Sequence, residues 1–488
     1  MRSTRSRSPF AAATLAALCL ALLALAAGPA GAAPRPLHTG VSYVDHVEPA
    51  AMEQVRNTGS TLALTPLRWN VIAPQQQPAQ WNPEDPADTN YDWRFADAWI
   101  SNAVHAGLTP VVQIRSAPHW ANRCTPSSDY DAVCNPDPAA LAAFTRAAVR
   151  RYSGHFGGLP NVQYWQGLNE PNLSLFFQPQ YEGKALVSPD LYRKLLNAFY
   201  AAVKAIDPGD QVIAAGLGPI AVPGYTVGPM EFTRRLLCMS GAKQPKPTAG
   251  DCEGGVNFDI FDIHPYTSGS PAHTGGPNDV QMGDLHKLQT LLLAADRAGR
   301  IKNTAPGRTP LWIMEFSYDS KPPDPGGLAM KIASQWIPEA LHAAWSAGVE
   351  NFLWYSLADD PPQPNLPFSA TLQSGLYFWD ANLAQQQPKP LMYAYRFPFT
   401  AIRKGGGLEF WGRTPSSGAG KIVLEAEKKG GWRKLKAVRA NSVGIFQGRL
   451  GTSYGSDKKG AVRARFGQQT SPGFPMRRVG DYVQPPFG

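Results

Sequence analysis

From His38 to about residue 403, short runs rich in β-branched and aromatic residues alternate with longer stretches whose apolar positions recur at helical spacing. The strand candidates are HTGVSYV from His38, LALTPLRW from Leu62, LTPVVQIR from Leu108 and NVQYWQGL from Asn161. QVIAAGL from Gln211, FDIFDIHPY from Phe258, TPLWIMEF from Thr309 and NFLWYSLA from Asn351 complete the series. Stretches between them, such as DPAALAAFTRAAVRRYSG and LAMKIASQWIPEALHAAWSAG, open on Asp or close on Gly, as helix caps require. Strands alternating with helices predict an α/β fold with a parallel sheet, closed into a (β/α)8 TIM barrel. An open doubly wound sheet competes with it, but no Gly-rich phosphate turn follows the first strand. After Arg403 the pattern changes to Gly-punctuated alternating runs, KIVLEAE, LKAVRAN, VGIFQGRL and AVRARFG, which predict a small all-β, sandwich-like module.

The chain begins differently. Arg2, Arg5 and Arg7 precede an apolar run from Phe10 to Ala27, and small residues follow through Ala30, Ala32 and Ala33. This is the layout of a cleaved signal peptide, so the protein is expected to be secreted; a single membrane anchor is the competing reading. The expected organisation is signal peptide 1–33, catalytic barrel 34–403 and β module 404–488. A chain of 488 residues, 43% of them hydrophobic, is long enough for a large core in such a barrel. Cys19 leaves with the signal, and Cys124, Cys134, Cys238 and Cys252 remain as two pairs local in sequence. In an exported chain these are expected to form the disulfides Cys124–Cys134 and Cys238–Cys252, since the spacings do not suit a zinc site.

The net charge of +9 is unevenly placed: 17 Lys and Arg face 5 Asp and Glu between Ile402 and Gly488. Such a basic module could sit on an anionic cell-wall or surface polymer, a lipid surface or an acidic polysaccharide, or simply be a soluble cationic surface.

In a barrel of this kind the carboxyl ends of the strands form the open face, so strand-end acids carry the chemical interest. Glu170 follows NVQYWQGL and Glu315 follows LWIM, placing two carboxylates at one mouth. Cleavage of a glycosidic bond needs such a pair, one acid to protonate the departing oxygen and one carboxylate to attack. Taken alone, either could be a capping or ion-paired acid.

The run Asn169-Glu170-Pro171-Asn172 after the fourth strand, with Glu315 ending the seventh, resembles clan A of the glycoside hydrolases, which contains the cellulase-like family 5 and family 39 enzymes. The likeness spans roughly residues 38 to 403. It implies retaining hydrolysis of a carbohydrate, with Glu170 as acid/base, Glu315 as nucleophile and Asn169 bonding the hydroxyl beside the anomeric carbon. It further implies that Arg68 supports the nucleophile, that His264 and Tyr266 form a strand-six pair with Tyr266 touching Glu315, and that Trp354 is the aromatic floor under the sugar. His119 and Trp120 would shape the same subsite. Structural roles compete for several of these: Arg68 pairing with a core carboxylate, His264 as a satisfied core residue, Trp354 as barrel filling and Trp120 as loop packing.

Under these roles, ionised Glu315 attacks while Glu170 holds the proton, and Glu170 acts as base once Glu315 is esterified. Arg68 and the Tyr266 hydroxyl are expected to keep Glu315 ionised. The loop from Ser116 to Asp137 and the Pro-rich loop from Ala358 to Phe368, with Asp359 and Asp360, are expected to border the mouth and build subsites. The chain has no His-rich ligand set, GxSxG elbow or Walker-type loop, so neither a metal, a cofactor nor a nucleic-acid partner is expected. A catalytically silent barrel that only binds glycans is the alternative of a different class.

Overall fold

The computed structural model describes residues 34–126, 132–248, 252, 255–303, 307–404, 406–451 and 460–476. The expected signal peptide lies outside them. Eight parallel strands close into a barrel: β1 (His38–Ser42), β2 (Leu62–Arg68), β3 (Thr109–Arg115), β4 (Tyr164–Gly167), β5 (Gln211–Leu217), β6 (Ile260–Ile263), β7 (Leu311–Ile313) and β8 (Val349–Tyr355). Each pairs with its successor, and β8 returns to β1 through the pairs His38–Asn351 to Ser42–Tyr355. Every strand candidate read from the hydrophobic pattern is present.

The outer layer consists of α1 (Pro49–Asn57), α2 (Arg94–His105), α3 (Pro138–Arg151), α4 (Ser188–Ile206), α5 (Pro229–Leu236), α6 (Leu285–Arg297), α7 (Met330–Ala347) and α8 (Pro390–Arg396). Helix α3 starts where Asp137 accepts a hydrogen bond from the Ala139 amide, and α7 stops at Gly348 in the left-handed conformation.

Strand pleating divides the apolar residues between two cores. Leu62, Leu64, Val111, Ile213, Ile260, Trp312, Met314 and Leu353 fill the barrel, while alternate residues such as Ala63, Leu67, Ile313 and Trp354 pack outward under the helices. Asp359, expected at the mouth, is instead buried. The Lys389 ammonium bonds it together with Ser320 Oγ (2.8 Å) and the Gln373 carbonyl (3.1 Å), so this part of the Pro-rich loop is a structural clasp. Burial pushes the Asp359 pKa up to about 6.

The β-rich region begins with β9 (Phe399–Lys404), ahead of residue 404, because Phe399 and Ala401 already belong to its core. A three-stranded sheet joins β9 to β10 (Gly407–Arg413) and β13 (Ile445–Leu450). A second antiparallel sheet joins β11 (Gly420–Lys428) to β12 (Gly431–Ala440) and β14 (Ala461–Phe466). Phe399, Phe410, Ile422, Leu424, Phe446 and Val462 form one core between them, which makes the module a sandwich. Trp411 of β10 stacks on His342 of α7, with ring centroids 5.0 Å apart, and Arg413 reaches Thr39 Oγ1 of β1 at 3.0 Å. Both contacts lie toward the end of the barrel opposite the strand carboxyl ends.

Candidate active site

Glu170 lies in the left-handed region, with φ of 40°, in the loop that leaves β4. Its amide donates to the Gly216 carbonyl (3.1 Å). The second asparagine of the Asn-Glu-Pro-Asn run holds this conformation: buried Asn172 donates to the Gly218 (3.1 Å) and Val227 (2.9 Å) carbonyls and accepts from the Gly218 amide (2.9 Å). Strained backbone of this kind persists only where its surroundings fix it. Gly216 is required for closeness, since a Cβ there would stand 2.8 Å from Asp262 Oδ2 and 2.9 Å from Gln166 Nε2.

Strand β7 ends at Ile313, and the chain then turns so that Glu315 enters the mouth. One oxygen of Glu170, one of Glu315 and a ring nitrogen of His264 lie within 4.8 Å of one another. His264 Nδ1 is 3.0 Å from Glu170 Oε1 and 3.7 Å from Glu315 Oε2, while its Nε2 is 3.2 Å from Asp262 Oδ2. The Tyr266 hydroxyl donates to Glu315 Oε2 (3.2 Å), and the Tyr43 hydroxyl lies near enough to the same carboxylate to influence its charge.

Burial raises the Glu315 pKa above its ordinary value, and the neighbouring Glu170 adds to the rise; His264, Arg115 and the Tyr43 hydroxyl pull against it. Burial alone would strip the His264 proton, but the carboxylates of Glu315, Asp262 and Glu170 overcome it and raise the His264 pKa well above the usual imidazole range. The trio Glu170, His264 and Glu315 is compact enough to offer ligands to a cation.

Behind it runs a chain of buried amides. Gln166 Nε2 donates to Asp262 Oδ2 (2.9 Å), Gln113 Nε2 donates to Gln166 Oε1 (2.5 Å), and the Tyr43 hydroxyl donates to Gln113 Oε1 (2.7 Å). Gln113 Nε2 also donates to Asn169 Oδ1 (3.1 Å), which orients that amide beside Glu170. Asp262 accepts at both oxygens, taking the Met314 amide on Oδ1 (2.9 Å), and so ties β4, β6 and β7 together.

Glu170, Glu315, Asn169, His264 and Tyr266 thus come together where sequence placed them. Four expected residues do not join them. Arg68 is exposed and lines a crevice of about 510 Å³ with Val71, Phe95 and Asp45. Its neighbour in register, Arg115, is the arginine in electrostatic reach of Glu315; it is buried with its guanidinium 5.0 Å from the Tyr43 ring and 5.2 Å from that of Phe176. Trp354 points outward into the helix layer, fully buried, with Nε1 donating to the Ser374 carbonyl (2.7 Å). The aromatic that faces inward is the next residue, Tyr355, 5.1 Å from the Tyr43 ring. Trp120 packs edge-on to Trp69 and Trp81 and donates to the Pro74 carbonyl, which makes it loop packing, and His119 beside it is exposed. The disulfides are Cys124–Cys134 and Cys238–Cys252, with Cα atoms 5.2 and 6.0 Å apart. The first staples the loop after β3, whose Val133–Cys134 segment pairs with Phe177–Gln178 of the loop after β4. Sequence reading does not find Asp262, Arg115, Gln113, Gln166, Tyr43 and Tyr355; for Asp262, Gln113 and Gln166 the signal was an uncharged or acidic polar residue inside an otherwise apolar strand.

In sequence the chain matches no protein-family model and no curated protein. In structure it is similar to a family 39 glycoside hydrolase from the gut symbiont Bacteroides cellulosilyticus WH2, with a TM-score of 0.53 and 16% identity over 86% of this chain and 80% of that one. A monomeric β-xylosidase from Caulobacter crescentus CB15 gives 0.52 and 14% over 86% and 95%. A family 39 enzyme from Xanthomonas axonopodis pv. citri gives 0.51 and 14% over 88% and 93%. The chain therefore has the fold of the family 39 glycoside hydrolases.

Proposed function

We propose that this chain is a secreted retaining glycoside hydrolase acting on a poly- or oligosaccharide, with its basic sandwich holding it on an anionic wall or surface polymer. The observation that carries the reading is the approach of Glu170 and Glu315 to within 4.8 Å at the open end of the barrel. Retaining enzymes hold their carboxyl groups about 5–5.5 Å apart, whereas inverting ones leave about 6.5–9.5 Å for a water between them. Glycoside hydrolases of the same fold, one of them a β-xylosidase, support a carbohydrate substrate.

In the first step Glu315 attacks the anomeric carbon while Glu170 gives its proton to the leaving oxygen. Arg115, Tyr43, Tyr266 and His264 favour the ionised form of Glu315 against the burial that opposes it. Esterification removes the Glu315 charge, and Glu170 then takes a proton from water as it attacks the glycosyl-enzyme. Because His264 touches both carboxylates, the charge lost at one is felt at the other.

The reading is tested by following a panel of 2,4-dinitrophenyl glycosides by proton NMR. A substrate should be cleaved with the first-formed sugar in the anomeric configuration of the glycoside, and Glu315→Ala should lose at least about 10³-fold in kcat, the scale on which removing a nucleophile acts. Cleavage of none of the panel would leave the silent glycan-binding barrel as the better reading, and an inverted product would refute the double displacement.

A further inference from the structure

Among the described residues, one face of the sandwich is not packed against the barrel. Its three-stranded sheet lies toward α7, since β9 and β10 contact that helix, and the sheet of β11, β12 and β14 lies beyond the shared core. On β11, Ile422 and Leu424 point into the core and Ala426 sits opposite the core residue Val462, so Lys421, Glu425 and Glu427 point out. Residues opposite one another in an antiparallel ladder share a face. The pairs Lys421–Arg439, Glu425–Lys434, Glu427–Trp432, Val423–Arg465 and Glu425–Arg463 therefore put Lys421, Lys434, Arg439, Arg463, Arg465 and Trp432 on the outer surface.

The acids on this face do not cancel its charge. Glu425 is buried beneath Arg463 (2.9 Å) and Arg465 (2.8 Å), which share its single negative charge. Among the described residues Glu427 is the other acid there, against five cations. Arg463 lies with its guanidinium carbon 4.2 Å from the centroid of Trp432, fixing an aromatic ring within the basic field. Strands stand about 4.8 Å apart and same-face residues about 7 Å apart, so successive charges along an extended polymer can each meet a cation.

We propose that this face binds a linear polysaccharide bearing repeated carboxylates, a polyuronate, and holds the chain on it while the barrel works elsewhere. The choice of a polysaccharide over another polyanion rests on the glycosidase reading of the barrel, with half-buried Trp432, one face of which Arg463 covers, adding apolar area at the edge of the basic face.

The test is affinity electrophoresis of the full chain in gels containing alginate, neutral xylan, double-stranded DNA or phosphatidylserine vesicles. Alginate should retard the protein most, with the retardation weakening as salt shortens the reach of the charges. The variant Lys421→Glu/Lys434→Glu/Arg439→Glu should bind alginate at least ten-fold more weakly, and the milder Lys421→Ala/Arg439→Ala should weaken it measurably with an unchanged unfolding temperature. Failure of alginate to retard the protein, equal binding by a folded variant, or stronger retardation by DNA or vesicles would overturn the proposal. Hydrolysis of aryl glycosides is scored separately: both variants should keep it, and a chain that holds alginate but cleaves no glycoside would refute the catalytic reading and leave this one standing.

Discussion

At His264 three carboxylates converge on one buried ring, with Asp262 behind it and Glu170 and Glu315 in front. The ring's positive charge is one of the main forces opposing the upward shift of Glu315, so its removal should be read directly in the pH profile. As the proposed nucleophile Glu315 has to be ionised to attack, so under that reading activity rises with pH through its pKa, and the acid limb should already lie above the ordinary glutamate value of 4.5. His264→Gln removes a cation that favours ionisation and should move that limb to still higher pH, with a fall in kcat/KM on the order of 10²-fold. A limb that stays in place or moves to lower pH in the folded variant would show that His264 does not govern the nucleophile. At the same scale, the hydrogen-bond chain from Asp262 by way of Gln166 and Gln113 fixes which end of the Asn169 amide faces Gln113.

Among the elements, the segment after β4 shows how a backbone holds a reactive side chain. Asn172→Ala leaves the Gly218 amide and the Gly218 and Val227 carbonyls without the partner that pins them. The expected cost is about 2–3 kcal/mol of stability, with a loss of kcat from a less well-held Glu170, measurable by urea unfolding and by steady-state kinetics on one aryl glycoside. The strands themselves were legible, because eight runs of alternating or continuous apolar residues with helices between them admit few other arrangements. Their end residues were not. Trp354 and Tyr355 are adjacent aromatics, and which one faces the mouth depends on pleat phase, which closure of β8 onto β1 and β7 sets. Arg68 and Arg115 end neighbouring strands opposite one another, and only the packing of Tyr43 and Phe176 around Arg115 selects it. Glu315 became legible through the strand that carries it, and Glu170 through the asparagine and proline that flank it. Asp262 gave little signal by itself, because a lone acid within an apolar strand reads equally well as a misassigned strand.

For the whole molecule, barrel and sandwich share a stacked joint rather than a linker. Trp411 lies between the sandwich and the α7 residues His342 and Trp345, and burial lowers the His342 pKa to about 4, keeping the ring neutral against the tryptophan near neutral pH. Trp411→Ala should cost about 3–5 kcal/mol, the usual range for emptying a large buried aromatic site. Calorimetry should show one transition in the parent chain, and a lowered or split one in the variant. The carboxylates occupy the other end of the barrel, so this change should leave KM for a small aryl glycoside near its parent value. Charge is divided in the same way, with the basic excess in the sandwich and a carboxylate-rich cluster in the barrel mouth.

The division of labour between the two glutamates is tested most directly by azide rescue of Glu170→Ala and Glu315→Ala on an activated aryl glycoside. With Glu170→Ala, azide should intercept the glycosyl-enzyme and give a glycosyl azide of retained configuration. With Glu315→Ala, azide should take the place of the missing nucleophile and give the inverted azide. The same anomer from both variants, or the opposite assignment, would contradict Glu315 as nucleophile and Glu170 as acid/base.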